Sequence, residues 1–588
     1  MPEAHRQPGS LDLSDDPDKH SSAVVSDNDI GRNLTTSADD EEPITADAQA
    51  GVQNIEAVTS VWTTTALVVA YVMIWFIYFF DMMHQGVSGA LTPYVTSAFQ
   101  HHSLTPTVGI MSSIIGGVFK LTIAKILDVF GRPQGYILSL FLATIGLVMM
   151  AACNNVETYA AAQVFYTVGN NAMLYCITIF IADTSSLRNR GLMIAYSGSP
   201  NIITTWLAGP MSEAYLKGPG WRWCWGTFAI IIPVVASPLF FLFLYNQEKA
   251  RKRGLIVERK SGRTLWQSLA YYCREFDAVG LLLLSAGLAL FLLPFHIYSM
   301  QDQQWRSPLI ICLLVFGITL IIAFAAWEKF FASITFIPYD LLLDRTVLGA
   351  CVLAATLFVS FFCWNSYFNS FLQVVNTLSV THASYVSQVY TVGSALWCLV
   401  AGLIIRRTGR YKAICLYFAL PLSVLGMGLM IHFRKPNVNI GYIVMTQIFI
   451  SFASGTIIIC DQIAAMAAAS HQHIAVVLAI ESMFSEIGGA VGLTVAAAIW
   501  QGVFPQKLAE YLPTEELPNL VDIYGALEVQ LSYPEGSPAR VAIQHAYVDA
   551  QKMMLIAGTA VWAVGFVATV VWRDINVKDI KQVKGHVI

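Results

Sequence analysis

Two stretches of this chain share one short pattern, D/R-x-x-G-R: Asp128-Val129-Phe130-Gly131-Arg132 and Arg406-Arg407-Thr408-Gly409-Arg410. Each stretch stands between two long apolar runs, and the glycines of the two copies are 278 residues apart. We call these stretches the first and the second repeat loop. Because a basic hairpin between apolar runs occurs twice, the pattern predicts that the chain consists of two related halves.

The composition places the chain in a membrane. Of its 588 residues, 56% are hydrophobic and only 12% are charged, and the mean hydropathy is +0.58. Soluble proteins carry about 25% charged residues, so an integral membrane protein is predicted, with the lipid bilayer as its surroundings.

Fourteen apolar runs reach the length of roughly 20 residues that a membrane-spanning helix needs. The runs are continuous rather than alternating, which predicts an all-α protein and not a β-barrel. They lie near 63–90, 106–127, 135–153, 158–181, 191–214, 223–245, 277–298, 308–328, 346–373, 384–405, 412–432, 440–463, 474–503 and 553–573. Two runs therefore separate two groups of six, and the predicted layout is 6+2+6.

The same runs divide the chain into segments. We predict a disordered acidic tail (1–60), a six-helix bundle (61–245), a basic loop (246–276), two inserted helices (277–330), a second six-helix bundle (345–573) that includes an outer loop (505–551), and a short tail (574–588).

Lysine and arginine set the predicted orientation. The loop 246–276 holds eight of them, and both repeat loops fall on the same side of the membrane. The positive-inside rule makes this side cytoplasmic, and an even number of helices puts both termini there. Residues 1–55 carry a net charge of −9 and cannot bury enough apolar surface to fold alone. A tail used in trafficking and a passive tail both remain open.

Several function classes are excluded by absent patterns. The ten cysteines are scattered without a CxxC pair, and the histidine pairs lack a third ligand, so no disulfide framework and no metal site is predicted. No glycine motif that would cradle a phosphate is present, so ATP does not drive the protein directly. We expect no enzymatic activity, no cofactor and no nucleic-acid partner.

Ionisable residues inside apolar runs are the candidates for moving a proton. Burying a charge in a bilayer costs free energy, so such a residue is expected to have a function. Asp81 and His84 are three residues apart, so they share one helix face. Glu481 and Glu486 lie in the run 474–503, the second of them near mid-membrane. The alternatives are that the first pair stands in water at the membrane edge and that the glutamates make structural hydrogen bonds. Asp183, near Arg188 and Arg190, is interpreted as a structural ion pair.

Aromatic and amide residues within the runs, and tyrosines of the outer loop, are the candidates for binding a ligand that is part polar and part apolar. The alternative is that they hold helices or the loop together. These residues are Asn170, Asn171, Tyr175, Trp206, Trp364, Asn365, Tyr367, Tyr533 and Tyr547. The glycines at 488, 489 and 492 are interpreted as a helix-packing face.

The repeat loops resemble the loop signature of the major facilitator superfamily, which has one copy in each half. Further segments resemble one subfamily, the fungal siderophore–iron transporters, and the similarity covers about 60–585. The segments are Pro93–Ser97, Ala124–Tyr136, Met149–Val156, Gly220–Trp223, Ala469–His473 leading into Gly488–Gly492, Leu517–Tyr524, Gln530–Pro534 and Gln544–Tyr547.

The resemblance implies a fourteen-helix proton symporter that imports ferric hydroxamate siderophores, with a ferric siderophore and protons as its ligands. A monomer in the plasma membrane, or in endosomal vesicles, is expected. The outer loop would help to capture the ligand, and the repeat loops would govern the conformational switch. The switch residues are then Asp128, Gly131, Arg132, Arg406, Gly409 and Arg410.

Other functions stay open at this point. The pair Gly209-Pro210 resembles a motif of drug–proton antiporters, and the subfamily includes glutathione–proton exchangers and a haem importer. Export of a peptide or secondary metabolite, or import of haem, are therefore the alternatives. A receptor that does not transport is disfavoured, because it would be expected to lack the acids that this chain carries inside its runs.

Overall fold

A computed structural model describes residues 61–98, 115, 119–120, 122–123, 126–127, 130–255, 266–267, 271, 274, 277–298, 301, 303–332, 343–469, 473–525 and 527–578. Within these ranges the chain is helical and forms no β-strand. Eleven of the described helices are long and apolar enough to cross a membrane. The all-α prediction is confirmed, whereas the count of fourteen stays a prediction. The acidic tail, Asp128 and most of the run 106–127 lie outside the described residues.

The first half contains six described helices. They are α1 (Thr64–Ala98), α2 (Arg132–Ala152), α3 (Val156–Thr184), α4 (Leu187–Gly198), α5 (Asn201–Lys217) and α6 (Trp221–Lys252). The predicted run 191–214 is thus two helices, because Pro200 has no backbone N–H to continue the helical ladder. The side chain of Asn155 accepts a hydrogen bond from the Thr158 amide and caps α3.

A pair of apolar helices stands between the halves in sequence, where two inserted helices were predicted. The pair is α7 (Ala278–Leu292) and α9 (Pro308–Phe330), and the four-residue α8 (Pro294–Ile297) lies between them in sequence. A Cβ atom at Gly317 would lie 2.6 Å from the Phe291 nitrogen, so α7 and α9 are in close contact. The Trp327 indole also donates to the Asp277 carboxylate at 2.8 Å, which joins the end of α9 to the start of α7.

The second half holds the remaining helices. They are α10 (Arg345–Asn365), α11 (Phe368–Val374), α12 (Val380–Thr408), α13 (Tyr411–Ile414), α14 (Leu420–Phe433), α15 (Ile440–Ala468), α16 (Ile474–Tyr511), α17 (Leu520–Gly525), α18 (Leu527–Ser532), α19 (Pro538–Ala560) and α20 (Trp562–Val571). A single π-helical turn, Cys415–Ala419, joins α13 to α14.

One predicted boundary in this half is wrong. The outer loop was predicted over 505–551, but α16 continues to Tyr511 and α19 begins at Pro538, so the connection is only 512–537. Ser537 caps α19, and proline suits its first position. The first turns of α19 are too polar to be recognised as part of a span. The run 346–373 corresponds to one candidate span, Arg345–Val374, in which the helix breaks at Ser366–Tyr367.

Glycines let α16 approach α10 closely. A Cβ atom at Gly488 would lie 2.3 Å from the Ala355 carbonyl oxygen, and one at Gly492 would lie 2.7 Å from the Val359 carbonyl oxygen. Small residues allow such backbone contacts between membrane helices. The interpretation of these glycines as a packing face is confirmed.

This packing predicts the effect of a methyl group added at one glycine. Gly488→Ala should destabilise the folded protein by about 1–3 kcal/mol, because the new atom overlaps the backbone of α10. Gly502→Ala on the same helix is the control, since nothing lies within 4 Å of its Cβ position. Thermal unfolding in detergent measures both variants, and equal melting temperatures would contradict the packing argument.

Candidate functional site

A cavity of about 400 Å³ lies between the two halves. The first half lines it from α1, α3, α4 and α5, with Tyr78 and Asn201 among its polar groups. The second half lines it from α10, α12 and α15, with Phe361, Tyr390 and Gln462. Apolar walls with a few polar groups are typical of ligand sites, and the volume falls in their usual range of about 300–1,000 Å³.

The halves touch each other at the end of the bundle that carries the repeat loops, which we call the loop end. The Tyr175 hydroxyl on α3 donates to the Ala475 carbonyl oxygen at the start of α16. A Cβ atom at Gly402 of α12 would lie 2.8 Å from the Cα atom of Leu192 on α4. The cavity is therefore closed on this side by direct contact between the halves.

Near the opposite end of the cavity the contact between the halves is made by side chains. The rings of Trp206 on α5 and Tyr385 on α12 have centroids 5.6 Å apart, and the indole is 44% exposed. Trp206, predicted as a ligand contact, thus lies at the boundary between the halves but does not line the cavity.

The first repeat loop makes an ion pair within its own half. The Arg132 Nε atom lies 3.0 Å from the Asp183 Oδ2 atom, and both side chains are largely buried. Asp183 was predicted to form a structural ion pair, and this is confirmed. Gly131 precedes α2 with a φ of 99°, a backbone conformation that favours glycine.

The second repeat loop contacts both the first half and the C-terminal segment. The Arg188 Nε atom donates to the Arg406 carbonyl oxygen at 2.9 Å. Gly409 has a φ of 75° and accepts a hydrogen bond from the Val577 amide at 3.0 Å. Arg410 is exposed, and its amide donates to the Thr408 hydroxyl at 3.3 Å.

Asp81 and His84 are both buried in the first half, and a tyrosine that the sequence did not single out joins them. The Tyr166 hydroxyl lies 2.7 Å from the His84 Nδ1 atom and donates to Asp81 at 3.4 Å. The His84 Nε2 atom is 3.0 Å from the Ser88 hydroxyl. The exposed Gln85 donates to the other Asp81 oxygen at 2.8 Å. This chain of groups can hold and pass a proton.

The two glutamates of α16 differ in their surroundings. Glu481 is buried, and its charge acts on that of Asp461 on the neighbouring α15. The side chain of Glu486 is 38% exposed, and its Oε1 atom lies 4.0 Å from the Lys120 Nζ atom. Lys120, which the sequence analysis missed, also donates to the Ser482 hydroxyl at 2.6 Å. A lysine within an apolar run was the available signal.

The predicted ligand residues of α3 and of the α10–α11 region lie outside the cavity lining. Asn170 is buried close to Asp81, while Asn171 is half-buried on the same helix. Trp364 is buried beside Tyr390, with ring centroids 5.2 Å apart. Asn365 ends α10.

An aromatic cluster holds Tyr367 and Tyr547 in the second half. Trp500 stacks on Tyr367 with centroids 4.2 Å apart, and the Tyr547 ring meets Trp500 edge-on at 4.9 Å. The Tyr547 hydroxyl donates to Gln530 at 2.8 Å. Tyr547 was predicted in a loop over the cavity mouth, but it lies inside α19 and is only 2% exposed, so that placement is wrong.

Tyr533 belongs to the connection 512–537. Its hydroxyl donates to the Glu516 carboxylate at 2.8 Å, and the Asn519 amide donates to the same group at 2.9 Å. These two hydrogen bonds lower the pKa of Glu516. Gln530 donates to the Ile523 carbonyl oxygen at 2.7 Å, so the connection is tied together internally.

Polar residues of α12 that line the cavity were missed by the sequence analysis. Tyr390, Thr391, Ser394 and Cys398 recur at helical spacing within one span and face the cavity together. Such a polar stripe in an apolar run is the signal that could have found them. Within the described ranges, no group of three or more His, Cys, Asp or Glu residues is arranged to hold a metal ion.

Comparisons with known proteins agree with this geometry. Residues 74–493 match the Major Facilitator Superfamily. The chain is 59% identical to MFS siderochrome iron transporter 1 of Ajellomyces capsulatus, over 94% of each chain. It is 43% identical to Siderochrome iron transporter 2 of Aspergillus fumigatus, over 99% of this chain and 95% of that one. The Siderophore iron transporter mirB of Emericella nidulans is 42% identical over 97% and 94%.

The fold and the sequence matches define the class first: the chain is a multi-pass membrane transporter of the Major Facilitator Superfamily. Within that superfamily it belongs to the fungal siderophore–iron transporter family. The family resemblance predicted from the repeat loops and the other segments is confirmed.

The burial of Tyr547 predicts a structural role that can be measured. Tyr547→Ala should destabilise the protein by about 3 kcal/mol, because a buried aromatic ring is lost. Tyr547→Phe keeps the ring, loses the hydroxyl bonded to Gln530 and should cost about 1 kcal/mol. Thermal unfolding in detergent gives both values. Tyr417→Ala, which removes a 78% exposed ring, is the control and should melt like the wild type. A Tyr547→Ala protein that also melts like the wild type would refute the assignment.

Proposed function

We propose that this protein imports ferric hydroxamate siderophores together with protons, by alternating access of the cavity between its halves. The observation that carries the proposal is this cavity, which is lined by both halves and closed at the loop end. Family membership supports the substrate class, since relatives at 59% and 43% identity are named siderochrome iron transporters. The iron arrives already chelated, so no protein ligand to the metal is required.

The proposed setting follows from the sequence. The loop end faces the cytoplasm with both termini, because the basic residues concentrate there. In this orientation the closed loop end makes the described conformation one that receives cargo from outside. We place the protein in the plasma membrane, with endosomal vesicles as the second site, and as a monomer. Its segments are the two six-helix bundles, the inserted pair and the terminal tails.

The cavity is the proposed place of the cargo. Phe361 and Tyr390 offer ring faces to the apolar parts of a chelate, and the amides of Asn201 and Gln462 offer hydrogen bonds to its polar parts. Trp206 stands at the boundary between the halves, so it is the predicted ligand residue best placed to meet the cargo on entry. Tyr533, in the connection 512–537, remains a proposed outer contact.

The predicted ligand residues that are buried outside the cavity lining are proposed to support the helices around the cavity. Asn170 orients Asp81, Tyr175 closes the loop end, and Tyr367 and Tyr547 fix the aromatic cluster. Trp364 stands directly behind the cavity residue Tyr390. These residues are proposed to position the helices that bear the cargo site.

The repeat loops are proposed to govern the switch between the two access states. The contact from Arg188 to the Arg406 carbonyl oxygen joins the halves only while the loop end is closed. The pair of Arg132 with Asp183 holds the first loop rigidly to its half, so the loop moves with that half as one body. Contacts that differ between two states bias their equilibrium.

Uptake measurements test the substrate and the driving force. Expression in a yeast strain without siderophore importers should produce accumulation of radioactive iron from at least one ferric hydroxamate in a panel. A protonophore should abolish this accumulation, because the gradient supplies the energy. Uptake that continues in the presence of the protonophore would contradict the proposed proton coupling. Loss of internal glutathione or peptide, without iron uptake, would favour the exporter instead.

Tyr166 tests the proposed proton carrier of the first half. Tyr166→Phe keeps the ring packed on His84 but removes the hydroxyl that joins it to Asp81. Accumulation should fall about tenfold, since a hydrogen bond to a charged group is worth roughly 1.5 kcal/mol or more. Asp81→Asn should abolish accumulation while siderophore binding persists. Tyr71→Phe, which removes a buried hydroxyl bonded to Thr184, is the matched control. If Tyr166→Phe and Asp81→Asn both accumulate siderophore as well as the Tyr71→Phe control does, this network is excluded.

A further inference from the structure

Lys120 joins the two halves through a charge inside the membrane region. It lies in the predicted second span of the first half, and its partners Ser482 and Glu486 lie on α16 of the second half. The two partners are four residues apart, so they share one helix face. Among the residues that the structure describes, this is the salt bridge that connects the halves.

The two charges of this pair lose their direct attraction if the halves separate. The Lys120 side chain is 17% exposed and that of Glu486 is 38% exposed, so much of each group is enclosed by protein. An ionised side chain in a span is costly unless it is paired or reaches water. The ion pair therefore favours the arrangement in which the loop end is closed.

The surroundings of the pair allow its charge to change. Lys120 acts electrostatically on Glu481 as well as on Glu486, and Glu481 acts in turn on Asp461. Two carboxyl groups thus act on one ammonium group, so one carboxyl can take up a proton while the ammonium keeps an ionised neighbour. Four further titratable groups that the structure describes face this cluster: Cys351 of α10, Cys398 of α12, Cys460 of α15 and Cys415 of the π-helical turn.

Two other polar contacts that the structure describes between the halves at the loop end cannot respond to protons in the same way. Tyr175 and Arg188 both donate to backbone carbonyl oxygens, those of Ala475 and Arg406. A carbonyl oxygen does not titrate near neutral pH, and arginine stays charged. The carboxylate partner of Lys120 can change its charge in that range when its environment favours the proton.

We propose that Lys120 is an inter-half latch that is released when Glu486 takes up a proton. With Glu486 ionised, the ammonium group binds it and the loop end stays closed. With Glu486 protonated, Lys120 loses its salt bridge and keeps its hydrogen bond to Ser482 and the longer-range attraction of Glu481, so the halves separate more readily at the loop end. The proton leaves from the opened end, and the pair forms again. The inference rests on the proposed proton coupling and adds the residue through which it opens the cavity.

Hydrogen exchange of the full-length protein in lipid nanodiscs, without any siderophore, tests the latch. The reporter is the first turns of α16, residues 474–480, which the closed loop end covers. After correction for the intrinsic pH dependence of exchange, the wild type should open more at about pH 5.5 than at about pH 7.5. Lys120→Met should raise exchange about tenfold at the higher pH and remove the pH difference. Glu486→Gln should behave in the same way.

Two further variants separate a latch from a general loss of structure. The double variant Lys120→Glu with Glu486→Lys restores an ion pair across the halves. It should return the hydrogen exchange of residues 474–480 towards the wild-type value. Lys217→Met breaks the exposed pair with Glu213, which lies within one half, and should change nothing. The latch would be overturned if hydrogen exchange in Lys120→Met matched the wild type at both pH values. It would also be overturned if the double variant did not lower hydrogen exchange relative to Lys120→Met.

Hydrogen exchange and siderophore uptake together distinguish a failure of the latch from a failure of the proposed function. A pH-dependent opening that needs Lys120 supports the latch even if no siderophore in the uptake panel is transported. Proton-driven siderophore uptake that stays at the wild-type rate in Lys120→Met would keep the proposed function and refute the latch.

Discussion

A polar group inside a lipid bilayer has no water to bond, so it must find its partner within the protein. This constraint accounts for the way the described helices are joined. Asp81 and His84 share Tyr166, and Asp183 pairs with Arg132 in the same half. Arg434, which is buried among aromatic rings, donates to the Trp364 carbonyl oxygen near the break between α10 and α11. Each polar residue thereby fixes the relation between two helices.

The constraint acts differently within a half and between the halves. Within a half, contacts such as Gly488 on Ala355 place backbones so close that the helices must move together. Between the halves, the loop end holds a few hydrogen bonds and one described salt bridge beside the approach of Gly402 to Leu192. Two rigid bodies that share a modest set of contacts can exchange one arrangement for another, which is what alternating access requires.

The connection 512–537 illustrates how a segment outside the spans becomes part of one rigid body. Arg540 donates to the Gln530 carbonyl oxygen at 2.5 Å, and Gln544 donates to the Val374 carbonyl oxygen at 3.1 Å. The aromatic cluster around Trp500 lies beneath these contacts. The connection is thus fixed to the second half, and the bond from Tyr533 to Glu516 ties it together internally.

The sequence by itself determined the class of structure. Runs of about 20 apolar residues can satisfy their backbone in a bilayer only as helices, and the two repeat loops divided those helices into halves. It also singled out Asp81, His84, Glu481 and Glu486, because a charge in an apolar run stands out without any knowledge of its neighbours. Only the tertiary structure decided the partners. Tyr166 and Asp81 are 85 residues apart and Lys120 and Ser482 are 362 apart, so no local pattern could join them. The cavity lining depended on the rotation of each helix about its axis, which packing sets and spacing along one chain does not.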